Sequence, residues 1–235
     1  MKYSFTSRIR YSEIGEDGCL TLPGLINYFQ DCSTFQSEAI GEGVAELKKR
    51  GCAWVLSAWQ IHVRRYPSLG EAVKITTWAS GFKGFLGMRN FTMETEDGEM
   101  LACANSIWSY VNMETGHPVR APKETTDAYG IDDPIDEDFG ERKVKIAGSR
   151  FHRRTVPGRG RTTSIRTTTS TTHSSFPLPV NAFRRTSPCA GCAPNTNSRR
   201  TSAMSCIRCA PRRKNGCFIS LNDEKGQPYV VVEFQ

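Results

Sequence analysis

The sequence predicts an α+β chain in which one long helix is wrapped by an antiparallel sheet. Two features carry that expectation: an apolar stripe at helical spacing near the N-terminus, and a succession of alternating, strand-like runs after it, two of them joined by a hairpin turn signal. Strands that follow one another across short turns pair antiparallel, because a parallel crossover needs a dozen or more residues.

Residues 3–10 fit a first strand, and Glu16-Asp17-Gly18 marks a turn after it. Thr21 fits a helix N-cap with Pro23 in the first turn, and Leu22, Leu25, Ile26, Phe29, Cys32 and Phe35 recur at helical spacing until Gly41. Leu25, Ile26, Phe29 and Cys32 are expected to face the sheet. Over residues 53–63 a strand would place Val55, Trp59, Ile61 and Val63 on one face, ended by Arg65-Tyr66-Pro67 and Gly70. Strands are expected at 73–78, 88–95 and 100–111, with Glu96-Asp97-Gly98 as a hairpin turn between the last two. Near the C-terminus, Ser220-Leu221 and Val230-Val231-Val232-Glu233-Phe234 flank Asp223-Glu224-Lys225-Gly226 as a closing hairpin.

The net charge of +7 over 235 residues would ordinarily point to an acidic partner, but one segment supplies it. No acidic residue occurs between Glu141 and Asp223, whereas residues 150–214 hold thirteen arginines and one lysine; without them seventeen basic residues face twenty-four acidic ones, a charge of −7. Nucleic acid is therefore not the expected partner. Met1-Lys2 is followed by Tyr3-Ser4-Phe5-Thr6 rather than an apolar run, and no stretch approaches the roughly 18 apolar residues of a membrane span, so the cytoplasm is the expected compartment. Nine cysteines there are expected to be reduced thiols or metal ligands rather than a disulfide framework.

Several ordered motifs support a resemblance. Asn27-Tyr28-Phe29-Gln30, Trp54-Val55-Leu56, Arg64-Arg65-Tyr66-Pro67-Ser68-Leu69-Gly70, Thr76-Thr77-Trp78, Gly87-Met88-Arg89 and Ser106-Ile107-Trp108 together resemble the N-terminal repeat of bacterial acyl-acyl-carrier-protein thioesterases, over residues 3–123. The resemblance implies a tandem hot-dog fold: an N-terminal hot-dog at 1–130, a linker at 131–149 and a second hot-dog at 150–235. It also implies hydrolysis of fatty acyl-carrier-protein thioesters in fatty-acid biosynthesis, without metal or redox cofactor. In that family the first repeat mainly shapes the acyl tunnel, so Asn27, Phe29, Gln30, Trp54, Leu56 and Trp59 become tunnel candidates. Arg64, Arg65, Lys83 and Arg89 become docking candidates for the acidic carrier protein. Each also has a plainer reading: Trp54, Trp59, Trp78 and Trp108 suit a core, His62 suits a satisfied structural histidine, and the cations suit a solvated surface. Monomer and homodimer both remain open.

From about Phe151 the patterns stop. Residues 162–172 are mostly Thr and Ser, and Pro177, Pro179, Pro188, Pro194 and Pro211 interrupt the chain beyond them, so residues 151–211 are expected to lack cooperative structure. Displacing the frame by one base offers another explanation. The run from Arg161 to His173 then permits Y-H-I-D-T-N-H-H-V-N-N-A, which contains D-x-N-x-H-V-N-N, the catalytic signature of the resembled family. The implied Asp codon straddles Ser164 and Ile165, the Asn codon Arg166 and Thr167, and the His codon Thr168 and Thr169; twelve codons on, the codon straddling Val180 and Asn181 can encode the family's glutamate. On this reading residues 150–212 are out of frame, the second repeat is disrupted, and no catalytic residue is present as written. The rival reading takes Cys189, Cys192, Cys206 and Cys209, spaced C-x2-C-x13-C-x2-C, as a zinc site in a non-catalytic, nucleic-acid-binding protein. A related acyl-CoA thioesterase is the third.

Overall fold

The computed structural model describes residues 1–141 in full, together with the backbone of strands at 163–169, 207–213, 216–222 and 228–234. The first unit opens with β1 (Tyr3–Arg8) and a one-turn 3-10 helix at Tyr11–Glu13, then enters α1 (Leu22–Ala39). Thr21 caps α1 as its sequence suggests: Oγ1 accepts the Gly24 amide proton at 3.2 Å and donates to the Glu13 carbonyl at 2.9 Å. Pro23 lies in the first turn, where a missing N–H costs nothing, and Gly41 at φ +77 turns the chain beyond the C-terminus. A short α2 (Val44–Lys49), which the sequence patterns do not predict, precedes β2 (Cys52–Val63), β3 (Ala72–Lys83), β4 (Leu86–Thr95) and β5 (Met100–Asn112). Another helix outside those patterns, α3 (Lys123–Tyr129), comes next.

The described strands join one sheet with β6 (Thr163–Thr169), β7 (Ile207–Arg213), β8 (Gly216–Asn222) and β9 (Pro228–Phe234), in the order β1-β3-β4-β5-β2-β6-β9-β8-β7. Every pairing is antiparallel. The α+β class and the helix-in-sheet arrangement are as expected. The C-terminal hairpin is also present, as β8 paired with β9. Within residues 151–211, expected to lack cooperative structure, the backbone is extended at β6 and at the part of β7 inside that span. Thr163–Thr168 pairs with Ala58–Val63 of β2, and the β-branched Thr and Ile of β6 suit an extended backbone even without apolar alternation. The remainder of the segment read as out of frame lies outside the described residues.

The core lies between α1 and the sheet. Leu25, Phe29 and Cys32 are buried and Ile26 packs against their cluster, with Ile61, Ile75, Phe91 and Met93 facing them from the strands. Phe29 lies 6.0 Å from the Trp59 ring and 5.1 Å from Phe91. Burying such a side chain is worth roughly 1.5–3 kcal/mol. Two members of the predicted apolar faces lie outside the core. Phe35 is 45% exposed, because it lies at the edge of the helical stripe and meets only the rim of the sheet through Phe5. Val55 is 42% exposed because β2 shifts register between Leu56 and Ala58; the extra residue reverses which alternate positions face α1.

Candidate functional site

A cavity of about 560 Å³ opens between the second half of α1, α2 and the adjoining end of the sheet. Gln30, Ser33, Thr34 and Ser37 reach it from α1, one turn apart, and Val44 and Leu47 from α2. The sheet contributes Trp54 from β2, Phe82 from β3, Met88 and Arg89 from β4, and Trp108 from β5, and Tyr129 closes it from α3. Gly87 permits this wall: a Cβ there would stand 3.2 Å from both the Phe82 and Trp54 rings, closer than ordinary contact. The result is a mostly apolar recess with a few polar groups, the usual character of a small-molecule site.

The sequence-based tunnel candidates separate. Gln30 and Trp54 line the cavity. Phe29 and Trp59 lie in the core beneath it, Leu56 packs against that core, and Asn27 faces solvent on α1. Helical and strand periodicity place them near one another in sequence, but a one-residue step along the helix turns a side chain by about 100°.

The basic candidates separate too. Arg64 is exposed and pairs with Glu137 at 3.0 Å; Arg65 bridges Glu71 at 2.8 Å and Glu99 at 2.7 Å; Lys83 is exposed at the end of β3. Arg89 is corrected: at 8% exposure it is not available to a docking protein. Its Nη1 donates to Gln36 Oε1 and, at 3.1 Å, to Thr77 Oγ1, and its guanidinium lies 5.2 Å from the centre of the Tyr129 ring. Burial lowers the pKa of Arg89 from its ordinary value. Tyr129, which sequence reasoning missed, is fixed by a 2.9 Å hydrogen bond between its hydroxyl and that of Ser37. Its helix had a faint signal, Pro122 before and Gly130, at φ +62, after.

On the sheet face away from α1, His62 and Cys103 are register partners on β2 and β5. The 131–141 segment crosses this face, its carbonyls accepting from Trp78 Nε1 at Asp133 and from Gln60 Nε2 at Phe139. It also brings Glu137 Oε1 to 2.9 Å from His62 Nδ1. That bond, with Arg64 beside it, holds the Glu137 carboxyl below the usual carboxylate range, while burial foremost and then Glu137 push the Cys103 thiol up to about 11. His62 is thus a partnered histidine, as its plainer sequence reading has it. His62, Cys103 and Glu137 have ligand-type atoms within 4.8 Å of one another and could hold a metal, but Arg64 already occupies the second Glu137 oxygen. Of the four cysteines in the zinc reading, Cys189, Cys192 and Cys206 lie outside the described residues, and Cys209 lies on β7.

The family description "Acyl-ACP thioesterase N-terminal domain" matches residues 1–129. Among curated proteins, the chain is 33% identical over 148 residues to "Acyl-[acyl-carrier-protein] hydrolase FATB3, chloroplastic" of Cuphea viscosissima, covering 58% of this chain and 35% of that one. It is 30% identical over 159 residues to "Palmitoyl-acyl carrier protein thioesterase, chloroplastic" of Gossypium hirsutum, covering 63% and 38%. The matches thus span between a third and two fifths of the length of these curated relatives. The fold is similar to that of the 12:0-ACP thioesterase from Umbellularia californica, with a TM-score of 0.71 at 15% identity, covering 100% of this chain and 96% of that one.

Proposed function

The chain belongs to the family of the acyl-ACP thioesterase N-terminal domain, and from that premise we propose that it acts on fatty acyl chains carried as thioesters on acyl carrier protein, in fatty-acid biosynthesis. The observation that carries this reading is the cavity walled by Trp54, Phe82, Met88 and Trp108, a recess suited to an alkyl chain. Each methylene buried there would add about 0.8 kcal/mol, so the depth of the recess would favour some chain lengths over others. Hydrolysis adds water to the thioester carbonyl and breaks the C–S bond, giving a fatty acid and the carrier thiol. It needs a base for the water and donors for the oxyanion. In this reading those groups belong to the second repeat, where the displaced frame would encode Asp, Asn, His and Glu, and the first repeat receives the acyl chain.

Lys83 is an exposed docking candidate at the end of β3, and it directly succeeds Phe82 of the cavity wall, which favours carrier docking at that rim. A cytoplasmic location belongs to the same reading, and no helix among the described residues is long and apolar enough to cross a membrane.

The test is turnover of long-chain acyl carrier protein by the written chain beside one with the frame restored across codons 150–212, with acyl-CoA of the same chain length for comparison. The restored chain is expected to exceed the written one by about 10²–10⁴-fold, the usual worth of acid–base groups. A folded but inert restored chain would overturn the assignment to thioester hydrolysis. Equal activity of the two would overturn the displaced-frame account, and preference for acyl-CoA would overturn the carrier protein as substrate.

A further inference from the structure

Arg89 is a buried cation on the cavity wall, and among the described residues no carboxylate forms an ion pair with it. The acid that shares the cavity lining, Glu42, is held by Arg50 at 2.8 Å. Within the described residues Arg89 bonds only neutral acceptors, Gln36 and Thr77, through Nη1 alone. Nε and Nη2 accordingly make no hydrogen bond to a described residue. A guanidinium keeps its proton even when buried, so the charge persists, and burying it without an anion is costly. An anion entering the cavity would relieve that cost through a planar fork that matches a carboxylate.

We propose that Arg89 anchors the carboxylate of a free fatty acid, whose tail lies along Trp54, Phe82 and Trp108. The inference rests on the reading of this recess as an acyl-chain receptor and adds a head-group preference to it. A thioester carbonyl is neutral, whereas its hydrolysis product is an anion. The site therefore distinguishes product from substrate, and free fatty acid competes for the cavity that the acyl chain uses.

The experiment titrates the full chain with sodium laurate and with 1-dodecanol below their aggregation limits, following intrinsic tryptophan fluorescence, to which Trp54 and Trp108 of the cavity wall contribute. Laurate is expected to bind at least about tenfold more tightly, the equivalent of one charge-assisted hydrogen bond. Arg89→Gln should bring the two affinities together, and Arg89→Lys should retain part of the difference. A second measurement needs no variant: carboxyl-labelled laurate bound to the unaltered protein should stay ionised to lower pH than the free acid in NMR titration. Equal affinity for acid and alcohol, undiminished preference in folded Arg89→Gln, or a bound carboxyl that titrates at or above its free value would each overturn the proposal. If both ligands bind equally, only the anion anchor fails; if neither binds, the acyl-receptor reading of the cavity fails with it.

Discussion

Phe29 and Asn27 are two positions apart on one helix, yet one has no exposed surface and the other faces solvent. Phe29→Ala removes the ring packed on both Trp59 and Phe91 and should cost about 3–5 kcal/mol in chemical denaturation, whereas Asn27→Ala should stay within about 0.5 kcal/mol. Charge at the surface obeys different rules. Arg65 lowers the Glu71 carboxyl from its ordinary 4.5, chiefly through a side-chain hydrogen bond. The folded value therefore lies below the unfolded one, and the pair's contribution is complete above the unfolded pKa and lost as pH falls through the folded one. Glu71→Gln should accordingly cost about 1 kcal/mol or less near neutrality and nothing below both values, read from urea unfolding at neutral and strongly acidic pH. A mutant that loses equally at both pH values would show that this side chain acts through packing instead.

At the scale of elements, local chemistry and tertiary surroundings contribute separately. The Thr21 cap is a local device, and Thr21→Ala should lower stability by about 1 kcal/mol, with Thr21→Asn close to the original; thermal unfolding of the three proteins decides it. The strands β3, β4 and β5 are legible in the sequence from their β-branched and aromatic residues and the turn signals between them, and the Glu96-Asp97-Gly98 turn because Gly98 sits at φ +85. The shift of register beyond Leu56 is not, since a single extra residue has no composition of its own, and it moves Val55 out of the core. The helices α2 and α3 are equally hard to read, because six and seven residues are too few to display a helical period.

For the molecule as a whole, β2 is the strand on which the two parts of the sheet meet: β5 pairs along one side and β6 along part of the other. A chain ending at Glu141 should keep the first unit but leave the β2 edge open, and should self-associate in light scattering where the full chain does not. One ending at Lys123 should also unfold more readily, because Tyr129 is lost from the cavity and the Phe139 carbonyl from Gln60. If both truncated chains are monomeric and equally stable, neither the β2 edge nor the 131–141 segment carries the part assigned to it.

By itself the sequence determined the α+β class, the principal helix and its cap, the strand succession and the family resemblance, because these rest on periodicity and on motifs whose members are close in the chain. It could name Trp54 and Gln30 as candidates but could not separate them from Phe29, Trp59 and Asn27, nor distinguish Arg89 from the surface cations. Those distinctions depend on helix rotation, on the β2 register and on the arrival of α3 and the 131–141 segment, which bring Tyr129 against Ser37 and Glu137 against His62. Such contacts join residues distant along the chain, and only the packed structure decides whether a charge lies in water or beside a cavity.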